Sequence, residues 1–201
     1  MKHLKQILWV CILFIMIFFY AHIDKKEMIY DKKIDSSEYM SLGVVGGTVT
    51  QEFVCKEETL DGVSVKCQVV GESDNMSIEM ALLDTTTGEV VASASKKMSE
   101  VENGKFNTFS FEKIGDCKGK SYQAMFTNKG EELSVGFGVG FVKTEPTEGN
   151  TRLSVDGTEM EGTMILKTVT KRFDFETFCV LWVLTVFIIV FFKRLCKLFS
   201  R

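Results

Sequence analysis

Proline is nearly absent from this 201-residue chain, and histidine and tryptophan are almost as scarce. The single proline, Pro146, falls in the loop-like stretch TEPTEGN, where it breaks no strand ladder. The histidines are His3 and His22, both at or before the end of an N-terminal apolar run. That removes Ser-His-Asp and Cys-His constellations from the remainder of the chain, together with any His-based metal site. Both tryptophans, Trp9 and Trp182, lie inside apolar runs, so neither can serve as an exposed platform for a sugar ring. No Gly-rich phosphate loop joins a strand to a helix. No helical periodicity of 10–15 residues separates the strand-like segments, which argues against a parallel sheet. The chain therefore reads as non-enzymatic, with no cofactor and no metal centre.

What is abundant is apolar sequence at the two ends. Residues 7–21 (ILWVCILFIMIFFYA) and 177–192 (TFCVLWVLTVFIIVFF) carry no charge. A bilayer core takes roughly 20 mostly apolar residues. Lys5 and Gln6 before the first run, and Phe173 and Phe175 before the second, can extend them by snorkelling or interfacial seating. The expectation is two transmembrane helices, over 7–22 and 173–192. Lys2 and Lys5 precede the first, and Lys193, Arg194, Lys197 and Arg201 follow the second. The positive-inside rule then places a cytoplasmic N-terminus at 1–6 and a cytoplasmic basic tail at 193–201, with the intervening domain outside. The first run also fits a signal peptide, but no small-residue cleavage site follows it, which favours an uncleaved signal anchor. Between His22 and Arg172 there are 25 Asp and Glu against 18 Lys and Arg, so this acidic segment offers nothing to nucleic acid.

Residues 23–43, with a doubled Asp-Lys-Lys and little apolar periodicity, read as a stalk. From 44 to 172 the pattern alternates with period two. Segments 48–55, 63–70, 76–83, 90–95, 106–112, 120–127, 133–141, 151–156 and 163–170 read as strands with one buried face. Turn chemistry at Leu60-Asp61-Gly62, Asn103-Gly104, Lys129-Gly130 and Asp156-Gly157 separates them. About eight or nine short strands so spaced predict an antiparallel β-sandwich.

Three stretches carry a family likeness: GGTVTQEFV at 46–54, FNTFSFEKIGDCKGKSY at 106–122 and LSVDGTEMEGTMILKTV at 153–169. They resemble the opening strand, the middle and the closing hairpin of the jelly-roll, carbohydrate-binding-module-like β-sandwiches found on the outer face of bacterial membrane proteins that handle cell-surface polysaccharide. The resemblance implies a jelly-roll fold and a place in the cell envelope. It covers about 125 residues and departs from the pattern in its two apolar runs and in Cys117, which sits within the turn. Polysaccharide chain-length regulators share the in-out-in topology, but their Pro-rich segment is missing from 163–176.

Candidate site residues are few. Gly136, Gly138 and Gly140 share one face of LSVGFGVGF, opposite Val135, Phe137, Val139 and Phe141. Three glycines on one face imply close approach. They form either a smooth binding face for a polymer or partner strand, or a surface covered by a neighbouring side chain such as an aromatic. Cys55 and Cys67 fall on inward faces, giving either a buried disulfide or two reduced core cysteines. Cys117, in a polar turn, reads as a free or intermolecular thiol. The carboxylate pairs Glu57/Glu58 and Glu131/Glu132 read as solvated loop charge. The same holds for Glu72, Asp74 and Asn75, although they offer the oxygen ligands that calcium takes. Asn75-Met76-Ser77 is a glycosylation sequon. The expected partners are the lipid bilayer and either an envelope glycan or another membrane protein. The function expected is a membrane-anchored binding or accessory module at the cell surface, or else a structural or regulatory subunit pairing through its helices with a larger membrane protein.

Overall fold

A computed structural model describes residues 2–71, 74–130, 135–143 and 152–199, with side chains from Leu8 onward. The chain divides into two compact units, Met1–Lys25 with Lys171–Arg201, and Lys26–Thr170.

The first unit holds two helices, α1 (Lys2–Tyr20) and α2 (Phe175–Phe199). Asp174 starts α2: its Oδ1 accepts the Thr177 N–H at 3.1 Å and its carbonyl accepts the Phe178 N–H at 3.0 Å. A carboxylate there satisfies one of the orphan donors of the first turn. Phe14 of α1 meets Phe178 and Trp182 of α2 edge-on, each at 5.4 Å between ring centroids. Among the described residues only α2 is long and apolar enough to cross a membrane. Of the two expected spans, one is supported. Among the described residues the apolar part of α1 is Leu8–Tyr20, about 20 Å at 1.5 Å per residue, short of a bilayer core of about 30 Å. Extension toward the N-terminus meets Lys5 and Lys2, and extension past Tyr20 is stopped where the chain turns into a strand.

The second unit is a sandwich of two antiparallel sheets. Among the described residues thirteen strands form them: β1 (His22–Met28), β2 (Met40–Ser41), β3 (Thr48–Val54), β4 (Leu60–Val70), β5 (Ser77–Asp84), β6 (Val90–Lys97), β7 (Phe106–Ile114), β8 (Ser121–Lys129), β9 (Gly136–Val142), β10 (Leu153–Val155), β11 (Thr158–Met160), β12 (Thr163–Met164) and β13 (Leu166–Phe173). One sheet has the order β1-β13-β4-β9-β12, with β2 also on β9 and β7 also on β4; the other has the order β11-β10-β3-β8-β5-β6. From β3 onward the chain changes sheet at most connections, keeping only the β5–β6, β10–β11 and β12–β13 steps within one sheet.

Each of the nine segments read as strands contains a strand among its described residues. The short β11 and the split of 163–170 into β12 and β13 were not legible, and the region read as a stalk supplies β1 and β2. Past β1, Tyr30 is buried with Val142 and Ile165, while Met28, Ile34 and Tyr39 pack against the same cluster. The Tyr39 hydroxyl donates to that of Tyr30 at 3.3 Å, and the Lys66 ammonium lies 4.8 Å from the Tyr39 ring centroid. The segment is thus a strap laid on the outer face of the seven-stranded sheet. Its apolar residues are spaced irregularly because they fill a surface rather than repeat along an element.

The core lies between the sheets. Val49, Phe53, Ile78, Met80, Leu82, Tyr122 and Phe126 come from one; Val63, Val65, Cys67, Phe109, Phe137, Val139 and Leu166 come from the other. Phe109 and Phe126 meet across the interface, edge to face at 5.5 Å. At Asp156-Gly157 both residues have positive φ (50° and 79°), the geometry of a two-residue hairpin joining β10 to β11. Gly62, expected in a turn, is inside β4. The register shifts there, and a Cβ on Gly62 would come within 2.8 Å of the Phe109 carbonyl oxygen. Pro146, Glu72, Glu131 and Glu132 lie outside the described residues.

Candidate functional site

The three glycines of β9 do face away from the core; the protein's own strap covers Gly136 and Gly138, and Ile165 covers Gly140. The Leu42 and Val45 N–H groups donate to the Val139 and Phe137 carbonyls at 3.1 and 2.8 Å, extending the pairing that β2 begins at Ser41 and Gly140. A Cβ on Gly138 would collide with the Gly43 carbonyl oxygen, and one on Gly136 with the Val44 side chain. One on Gly140 would lie 3.0 Å from Ile165 Cδ1. Gly43 takes φ 72°, the left-handed conformation that glycine adopts without steric cost. So the close approach foreseen at 136–140 is real, and its occupant is backbone and aliphatic side chain of residues 43, 44 and 165, not an aromatic ring. The face is filled, which removes it as an open groove.

Cys55, Cys67 and Cys117 are all buried and all unpaired by disulfide. Cys67 lies within β4, its thiol donating to the Val65 carbonyl at 3.6 Å, and burial pushes that thiol up to about 12. Cys55 has another neighbour. The Cys55 N–H donates to Lys120 O at 2.9 Å, Gly119 N donates to Cys55 O at 2.8 Å, and Cys117 N donates to Glu58 O at 3.0 Å. These bonds fold the β7–β8 turn onto the end of β3 and set Cys117 near Cys55 and Tyr122. Burial, above all, pushes Cys55 up to about 11, and also raises Tyr122. Cys117, read from sequence as a free or intermolecular thiol, is free and also buried, because the turn curls inward and seals it.

The open surface is the outer face of the six-stranded sheet. Its register aligns Ser154, Thr50, Met125, Ala81 and Ser93 in one row and Thr48, Thr127, Glu79 and Ser95 in the next. Thr50 Oγ1 and Ser154 Oγ are 2.8 Å apart, Thr48 Oγ1 and Thr127 Oγ1 are 3.1 Å apart, and Glu79 pairs with Lys129 at 3.6 Å. A groove of about 470 Å³ opens over Glu79, Ala81, Ser93, Ser95, Met125 and Thr127. Hydroxyls both donate and accept hydrogen bonds, while Met125 and Ala81 supply a small apolar floor. The arrangement can hold a hydroxyl-rich chain. Sequence reasoning missed it. These are the polar positions of segments recognised by their apolar ones, and only the inter-strand register collects them.

Among the described residues no group of three or more His, Cys, Asp or Glu side chains gathers as a metal site. Compared with known proteins, the chain matches no protein-family model and no curated protein.

Proposed function

We propose that this chain is a membrane-anchored binding or accessory module of the cell surface whose ligand is a hydroxyl-rich polymer, an envelope polysaccharide. The observation that carries the reading is the open, hydroxyl-lined groove of the six-stranded sheet. The sandwich architecture and the likeness of residues 46–54, 106–122 and 153–169 to carbohydrate-binding-like jelly rolls support it. With α2 as anchor, Lys193, Arg194, Lys197 and Arg201 retain the C-terminus in the cytoplasm and the sandwich faces outside. The test is binding of the full-length protein, held in lipid nanodiscs, to an array of envelope polysaccharides. Retention of one glycan class, abolished by Ser95→Trp with unchanged melting temperature, is the expected result. Absence of binding to every glycan, or binding indifferent to Ser95→Trp, overturns it.

A second reading has its own observation. Val10, Leu13, Trp182, Thr185, Val186, Ile189 and Val190 line an apolar groove of about 190 Å³ within the helical unit. Such a groove suits a helix of a larger membrane protein, which would make this chain a regulatory subunit. A photo-crosslinker at Val186 that labels one membrane protein stoichiometrically would favour this reading over the first.

A further inference from the structure

We propose that Cys55 and Cys117, not Cys55 and Cys67, form a reversible disulfide that staples the β7–β8 turn to the end of β3. The geometry rests on backbone as well as side chains. Cys55 exchanges hydrogen bonds with Lys120 and Gly119, and Cys117 donates to Glu58, three residues beyond Cys55. Two chain segments tied at three points hold the two residues close together, and both side chains are buried. Neither thiol has a strong partner to give up. Cys55 Sγ donates to Glu57 O at 3.4 Å, and Cys117 Sγ to Ile114 O at 3.4 Å and Gly115 O at 3.6 Å. Thiols are weak donors, so little opposes their replacement by an S–S bond. Cys67 faces other groups: its thiol is held within its own strand and has Asn107 and Lys96 for neighbours.

The chemistry is thiol–disulfide exchange with a small-molecule disulfide as oxidant. One cysteine, as thiolate, attacks a sulfur of the oxidant, forming a mixed disulfide and releasing one thiolate. The second cysteine, having lost its proton, then attacks the protein sulfur of that mixed disulfide and releases the other. Two protein thiols become one disulfide, two electrons pass to the oxidant, and the two protons end on the two small thiols released. Burial keeps the Cys55 thiol protonated at neutral pH, so exchange in the folded protein is slow in both directions. A bond made during folding would therefore persist.

Formation in the cell rests on the extracytoplasmic placement proposed above, because disulfides persist outside the reducing cytosol. The test separates the two. Purified full-length protein in detergent micelles is equilibrated at alkaline pH across ratios of oxidised to reduced glutathione, unfolded in excess alkylating agent and mapped by mass spectrometry. The expected product is one peptide pair joined through Cys55 and Cys117, lighter by two hydrogens, with Cys67 alkylated at every ratio. Cys67→Ala should leave this linkage intact. Linkage of Cys55 to Cys67, or full alkylation of both Cys55 and Cys117 at the most oxidising ratio, overturns the proposal. The same map on protein alkylated within cells tests location. A pair that is reduced in cells yet closes in glutathione keeps the staple and removes the external placement.

Discussion

Gln51 and Met164, 113 residues apart in the chain, are joined across the two sheets. The Met164 N–H donates to Gln51 Oε1 at 2.7 Å, and both residues are fully buried. The amide nitrogen of Gln51 donates to the carbonyls of Glu52 at 2.9 Å and Arg152 at 3.4 Å, so both ends of this inward-facing polar side chain are used. Replacing Gln51 with Leu keeps the volume but strands a buried backbone donor. The expected loss is about 1–3 kcal/mol. Urea unfolding of the full-length protein should show a lower midpoint at unchanged slope; an unchanged midpoint would mean that the bond contributes nothing net.

The glycine stripe gives a graded series. Gly138→Ala places a methyl against the Gly43 carbonyl oxygen, a backbone atom that cannot rotate away, and overpacking of this kind costs about 1–3 kcal/mol. Gly136→Ala meets the Val44 side chain, and Gly140→Ala meets the end of Ile165, which can shift more cheaply. Limited proteolysis should cut the strap between residues 28 and 45 fastest in Gly138→Ala and slowest in Gly140→Ala. Equal rates in all three would argue that the strap does not depend on these glycines.

Alkali should weaken the fold through its buried thiols. Cys55 and Cys67 have folded-state values pushed to about 11 and about 12 from an ordinary 9.0, chiefly by burial. Below pH 9 both folded and unfolded chains hold these protons, and the stability is complete. As pH rises from 9.0 through the folded values, the unfolded chain ionises first and stability falls. The melting temperature should decline over that interval, and Cys67→Ala should flatten the decline. An identical slope in that variant would assign the loss to other groups.

Asp84 acts in the opposite direction. Its Oδ1 accepts the N–H of Thr86 at 2.8 Å and of Thr87 at 3.4 Å, and the Thr86 backbone bond above all holds the carboxyl below its ordinary 3.8. The lowered folded value means that the contribution is present above 3.8 and is lost as pH falls through the folded-state value. Carboxyl NMR should place the Asp84 midpoint below that of a model peptide. In Asp84→Asn the acid dependence of the β5–β6 turn should vanish. A midpoint at or above 3.8 would refute the assignment.

Legibility followed the source of the signal. The strand segments, the Asp156-Gly157 hairpin and the inward faces of Phe53, Cys55, Val63, Val65 and Cys67 could be read because local alternation and turn chemistry encode them. The strap could not, because Tyr30, Ile34 and Tyr39 are spaced by the surface they cover rather than by a period. Nor could the neighbour of Cys55 be read: Cys117 lies four strands further along the chain, in a turn whose sequence is polar.

The sequence by itself determined the alternation that makes two half-buried sheets, the apolar helix α2, and the need for something to press closely against Gly136, Gly138 and Gly140. Tertiary structure decided what presses there, which cysteines meet, and which polar residues share a face. Period and composition report what each segment must bury. Only the pairing of distant strands reports against what, because register and strand order are properties of the assembled sheets.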